Sequence, residues 1–129
     1  ANPNLFELDE HLEPLKIAGV PPDYFSTKGQ IWENPIYKWG NHRLSNFKWW
    51  RERIKVNEKR FDLLRIDHFR AIVSGWCINY GSTDAINGYW KRGPGKILLE
   101  EILDVMPSQR IIAEDLGHIT NSVKKMIKQ

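Results

Sequence analysis

Two short apolar runs of this 129-residue chain end in carboxylates: "LLRID" in Asp67, and "RIIAED" in Glu114 and Asp115. Side chains at i and i+2 of a strand share a face, so Leu63, Arg65 and Asp67 are expected to point the same way. A guanidinium beside Asp67 holds it as an anion, ready to attack or to stabilise positive charge. Glu114 has no adjacent cation and follows Ile111, Ile112 and Ala113, a more apolar setting that suits a general acid. An anionic aspartate and a proton-donating glutamate at one rim are the pair that retaining glycoside chemistry uses. Spacing alone also fits the commoner structural roles: an Arg-x-Asp ion pair at a strand end, a helix-capping turn at "AED", and plain hydrogen bonding by His68 and Arg70.

For the two carboxylates to meet, the runs must be neighbouring parallel strands, and "RFDLLRID" and "QRIIAED" both read as short buried strands. Around them the spacing turns helical. Phe47, Trp50 and Ile54 recur at helical intervals from about Ser45 to Glu58, with Ser45 as a candidate cap. "PGKILLEEILDVM" is an amphipathic helix with Pro94 near its first turn and Ile97, Leu98, Ile102 and Leu103 on its apolar face. Thr120 is placed to cap a last helix carrying Val123, Met126 and Ile127. Helix, strand, helix, strand, helix is the rhythm of an α/β fold in which helices cover a parallel sheet and reactive groups sit at the strands' carboxyl ends. Residues 1–41, rich in proline and asparagine, read instead as one long loop with little regular structure. A loop of that length in a compact domain is usually functional.

Composition narrows the alternatives. The length suits one sizeable core, and no repeat, linker or composition shift suggests a second domain. Nineteen basic against sixteen acidic residues gives +3 with both signs interspersed, too mild to imply nucleic acid or an anionic membrane. The tract "KWWRERIKVNEKR" interleaves aromatic and basic residues as a single-strand binder would, but Trp50 and Ile54 lie on a helical stripe and the charges form its solvated face. No apolar run approaches the ~20 residues of a membrane span and no charged-then-apolar leader opens the chain, so a soluble protein is expected. Cys77 is the single cysteine, which leans towards a reducing, cytoplasmic compartment. His11, His42, His68 and His118 are scattered without paired spacing, so no metal is expected. Six tryptophans would also suit a non-catalytic carbohydrate-binding module, but that would be a small β-sandwich of alternating strands, whereas the runs here are apolar throughout.

The strings "AGVPPDYFSTKGQIWENPIYKW", "LRIDHFR", "GPGK" and "IIAEDLGHIT" together closely resemble the amylomaltases of glycoside hydrolase family 77, also called 4-alpha-glucanotransferases or disproportionating enzymes. The resemblance runs over nearly the whole chain. It implies an internal fragment, residues 1–129, of a single catalytic (β/α)8 barrel domain: a partial barrel of about two or three strands with adjoining helices. Residues 1–41 would be its long, loop-rich active-site segment. It implies that Asp67 is the nucleophile, that Arg65 orients it, and that Glu114 is the acid/base.

The implied reaction transfers alpha-1,4-glucan segments to an acceptor glucan by retaining double displacement, with maltooligosaccharides or longer glucans as donor and acceptor. No cofactor, metal, nucleic acid or membrane takes part. On the same resemblance Tyr24, Phe25 and Trp32 would stack on the apolar faces of glucose rings, and His68 would also contact substrate. A third carboxylate, in a His-Asp motif further along the family's chain, and a sugar-contacting aspartate before "VWANP" have no counterpart here. The fragment alone is therefore expected to be inactive and, with open sheet edges, loosely folded. Ala71 replaces a usual glycine, Gly75 a frequent aromatic, and Glu33 the glycine of "W-G-N-P". These departures bear on backbone freedom and glycan contacts near Trp76 and Glu33, and leave Asp67 and Glu114 untouched.

Overall fold

The stretch expected to be loop carries two strands. In a computed structural model that describes residues 2–116 and 119–128, the chain runs β1 (Lys16–Val20), β2 (Gln30–Pro35), α1 (Trp39–Leu44), α2 (Lys48–Arg60), β3 (Leu64–Ile66), β4 (Ser74–Asn79), β5 (Tyr89–Arg92), α3 (Lys96–Leu103), β6 (Ile111–Ala113) and α4 (Asn121–Ile127). His118 and the glycine of "AEDLG" lie outside the described residues. The fold is a mixed α/β arrangement in two compact units. One comprises Ala1–Asn41 and Gly75–Lys91; the other comprises His42–Ser74 and Arg92–Gln129.

The first unit is built on an antiparallel sheet of order β2-β1-β4-β5. β1 alternates buried and half-buried positions, but one of its inward positions is Gly19. A Cβ there would run into the Gln30 carbonyl of β2 and meet the Ile78 side chain of β4, so glycine is required by close approach. That glycine, and a register shift between Ile17 and Gly19, break the apolar alternation by which a strand is recognised. Lys16 to Gly19 pair with Asn79 to Trp76, a partner some sixty positions away that local pattern cannot reveal. Ile17, Ile78 and Ala85 are buried together, with Ile31 and Trp76 packed against them. Burying an isoleucine of this kind stabilises by about 1.5–3 kcal/mol. Trp76 adds a hydrogen bond from Nε1 to the Ala85 carbonyl at 2.9 Å and an edge contact to Trp90. Cys77 is buried in β4, and burial pushes its thiol above the usual range.

The second unit carries the expected rhythm. β3 and β6 pair in parallel, with Leu64 opposite Ile111, Arg65 opposite Ile112 and Ile66 opposite Ala113. In these strands Leu64, Ile66, Ile111 and Ala113 are half-buried, while Leu63, Arg65 and Ile112 are exposed. Arg110, just before β6, ties that strand to the end of α2. Its Nη1 meets Glu58 at 2.8 Å, and its other nitrogens donate to the carbonyls of Glu58, Phe61 and Asp62. Arg51 of α2 forks onto Glu101 at 2.5 Å and Asp104 at 2.7 Å at the end of α3.

Helix details differ from the spacing in two places. α2 starts after Phe47, buried in a left-handed conformation (φ 52°), and Ser45 hydrogen-bonds the His42 carbonyl instead of capping it. In α3 the buried set is Leu98, Leu99 and Ile102, with Ile97 exposed and Leu103 half-buried, because packing against neighbouring elements sets which side of the helix faces inward. Thr120 does cap α4, accepting from the Val123 N–H at 3.4 Å.

Candidate active site

Asp67 directly follows β3 and Glu114 directly follows β6, so the parallel pairing brings two carboxylates to the same end of one ladder. Arg65 precedes Asp67 by two residues, on the same face. Its Nε donates to Oδ1 at 2.6 Å and its Nη2 lies 3.4 Å from Oδ2. Both oxygens of Asp67 are thus met by one planar fork, which fixes the carboxylate's plane.

Glu114 is held differently. Its Oε2 accepts the backbone N–H of His68 at 2.7 Å, and its Oε1 accepts that of Leu116 at 2.7 Å. The apolar setting inferred from Ile111, Ile112 and Ala113 is therefore not what meets the carboxylate; peptide N–H groups are, because the strand ends and its neighbours turn. A carboxyl group has about four lone-pair positions, so two remain for a proton or a substrate.

His68 itself sits in the left-handed region (φ 48°) and leads into a 3-10 turn at Phe69–Ile72. Phe69 and Ile72 anchor that turn by burial, as does Arg70, whose Nη2 donates to Ser74 Oγ at 2.9 Å. Burial lowers the basicity of the His68 imidazole, the charge of Arg70 lowers it further, and Glu114 opposes both. Two residues with no assigned role in the sequence hold the turn from outside: Gly93 donates to the Val73 carbonyl and Gly95 to the Ile72 carbonyl, each at 2.8 Å. A Cβ on Gly93 would collide with the carbonyls of Ala71 and Ile72. The string "GPGK" was the available signal, and close backbone approach is its physical content.

Tyr24, Phe25 and Trp32 belong to the first unit. Tyr24 and Phe25 are 97% and 94% exposed and make an edge contact at 5.7 Å. They ride on a tight turn in which Asp23 Oδ1 accepts the N–H groups of Phe25 and Ser26, so two rings are presented to solvent on a stiff support. Trp32 lies half-buried in β2, its Nε1 donating to Gln30 Oε1 at 3.1 Å. Glu33, beside it, adopts φ 61°. Among the described residues no group of three or more His, Cys, Asp or Glu is placed to hold a metal ion. No helix there is long and apolar enough to cross a membrane.

The family model of glycoside hydrolase family 77, described as 4-alpha-glucanotransferase, matches residues 1–129. The chain belongs to this family. It is 50% identical over 123 residues to a 4-alpha-glucanotransferase of Aquifex aeolicus, covering 95% of this chain and 25% of the relative. To that of Clostridium butyricum it is 47% identical over 130 residues, covering 100% and 27%. The chain therefore spans about a quarter of the length of these glucanotransferases. Among solved structures it is similar to the amylomaltase from Streptococcus agalactiae in complex with acarbose, with a TM-score of 0.91 and 43% identity over 98% of this chain and 26% of that one. The amylomaltase from Corynebacterium glutamicum, at 20% identity and a TM-score of 0.77, covers 88% of this chain and 16% of its own and shares the fold.

Proposed function

We propose that this chain carries the nucleophile and the acid/base of a 4-alpha-glucanotransferase, and that its β3–β6 ladder is part of a single catalytic (β/α)8 barrel domain. The observation that carries the reading is the placement of Asp67 and Glu114 at the carboxyl ends of paired parallel strands. Arg65 grips the first and the peptide N–H following Asp67 binds the second. Family membership supports an alpha-1,4-glucan as the proposed substrate class.

In the first step an oxygen of Asp67 bonds to the anomeric carbon as the glycosidic C–O bond breaks, and the proton of Glu114 passes to the departing 4-oxygen. The Arg65 fork keeps Asp67 aligned for attack along one direction. In the second step Glu114, now ionised, takes the proton from the 4-hydroxyl of an acceptor glucan. That oxygen bonds to the anomeric carbon, and Asp67 leaves with the electrons of its ester bond. Two inversions give overall retention. Transfer outruns hydrolysis when a sugar occupies the acceptor side and water does not. The exposed Tyr24–Phe25 pair suits that task, since flat amphipathic rings match the apolar faces of glucose and the Asp23 turn holds them ready. Trp32 in the first unit and the His68 side chain in the second are each proposed to contact sugar, and a cytoplasmic location is proposed from the single cysteine.

The test is disproportionation of maltotriose by the full-length protein carrying this segment, followed by chromatography. Glucose together with a ladder of longer maltooligosaccharides is the expected outcome. Reducing sugar without longer products would replace transfer by hydrolysis, and an unchanged substrate would overturn the reading. Residues 1–129 by themselves are expected to give no ladder.

A further inference from the structure

The hydrogen-bond ladder between β3 and β6 does not end regularly. In a parallel ladder a residue bonds through its N–H and its C=O to the two residues flanking its partner. The Glu114 N–H goes to the Ile66 carbonyl at 3.0 Å, so the Glu114 carbonyl belongs with the N–H of His68. It is instead taken by Phe69, at 3.2 Å. One extra residue has been inserted opposite Glu114, and the left-handed His68 (φ 48°, ψ 46°) absorbs it. This is a bulge in a parallel pair, an uncommon feature that re-aims groups where it occurs. What it re-aims here is the His68 N–H, which leaves the ladder and reaches Oε2 of the Glu114 side chain at 2.7 Å.

We infer that His68 is a positioning residue through its backbone: the bulge turns the Asp67–His68 peptide so that its N–H locks the Glu114 carboxylate relative to Asp67. The inference rests on the proposed roles of those two carboxylates. The peptide that begins at the nucleophile's own carbonyl ends at the N–H gripping the acid/base. A displacement of one strand end is thereby transmitted to the other carboxylate. The Leu116 N–H on Oε1 closes the clamp from the second side. The left-handed conformation is the requirement, since in extended backbone the N–H would return to the ladder. A non-glycine residue there is strained, and a β-branched one more so.

The experiment compares His68→Asn, His68→Gly and His68→Val in the full-length protein. All three lose the imidazole; asparagine and glycine accept the left-handed region and valine resists it. Single-turnover glucose release from maltotriose needs proton donation by Glu114, whereas fluoride release from α-maltosyl fluoride does not. His68→Val is expected to lose about tenfold or more on maltotriose beyond its loss on the fluoride. His68→Asn and His68→Gly should fall by one common factor on both donors. Equal ratios in all three variants would overturn the inference. If His68→Val does not fold, replacing residue 68 by the α-hydroxy analogue of histidine, which keeps the imidazole but puts oxygen in place of the N–H, decides the matter. An ester variant with the wild-type donor ratio overturns the clamp, and one that loses selectively on maltotriose supports it. Transfer surviving Asp67→Asn would instead overturn the underlying reading of the site.

Discussion

Arg65 holds Asp67 by both oxygens, with Nε 2.6 Å from Oδ1 and Nη2 3.4 Å from Oδ2. Both side chains are about two-thirds exposed in the described residues, so solvent screens the pair and it contributes little to stability. Arg65→Lys keeps the charge and loses the planar fork. It is expected to leave the melting temperature near that of the parent while lowering glucosyl transfer about tenfold or more, because misalignment of a nucleophile is costly. Asp67→Asn should abolish transfer, and a covalent adduct trapped with a fluorinated donor should map to Asp67 by peptide mass spectrometry. Labelling of another carboxylate would reassign the nucleophile.

Glu114 offers a separable prediction. Glu114→Gln keeps the size of the side chain but has no proton to give, and its single amide oxygen can accept only one of the His68 and Leu116 N–H groups. Activity on maltotriose should fall by about 100-fold or more, while the first step with a fluoride donor is largely retained. Equal losses on the two donors would remove Glu114 from the acid role.

Gly93 lies against the turn that follows Asp67. Because a Cβ would meet the carbonyls of Ala71 and Ile72, Gly93→Ala is expected to destabilise the full-length protein by about 1–3 kcal/mol, read as a lower urea midpoint. Activity should fall as well, since the turn carries the His68 bulge. An unchanged midpoint would mean that the two segments separate at no cost.

Glu33 stands in the left-handed region at φ 61°, where the family pattern places glycine. The strain of a side chain there is about 1–2 kcal/mol, and glycine's extra chain entropy offsets about 0.5–1 kcal/mol of it. Glu33→Gly is therefore expected to raise stability by about 0.5–1 kcal/mol at constant urea m-value. A fall in the midpoint would show that the carboxylate makes a compensating contact.

What could be read without a structure was whatever a few adjacent residues decide. The two apolar runs ending in Asp67 and Glu114 announce parallel strands, period-two geometry puts Arg65 and Asp67 on one face, and Thr120 is a local cap. The signature strings likewise sit within short windows of sequence, and the family follows from them. Tertiary structure decided what depends on a distant partner. β1 exists because β4, far along the chain, lies beside it, and its inward Gly19 hides the alternation that would betray a strand. Ile97 yields to Leu99 because the rotation of α3 is set by its packing on α2 and on the turn at Phe69–Ile72. The bulge at His68 and the His68 N–H on Glu114 come from pairing with a residue forty-six positions away, whereas the Leu116 N–H is a local contact. Pattern carries the period of a strand but not the residue at which its ladder breaks, so the sequence names the two carboxylates and only the fold sets how they are held.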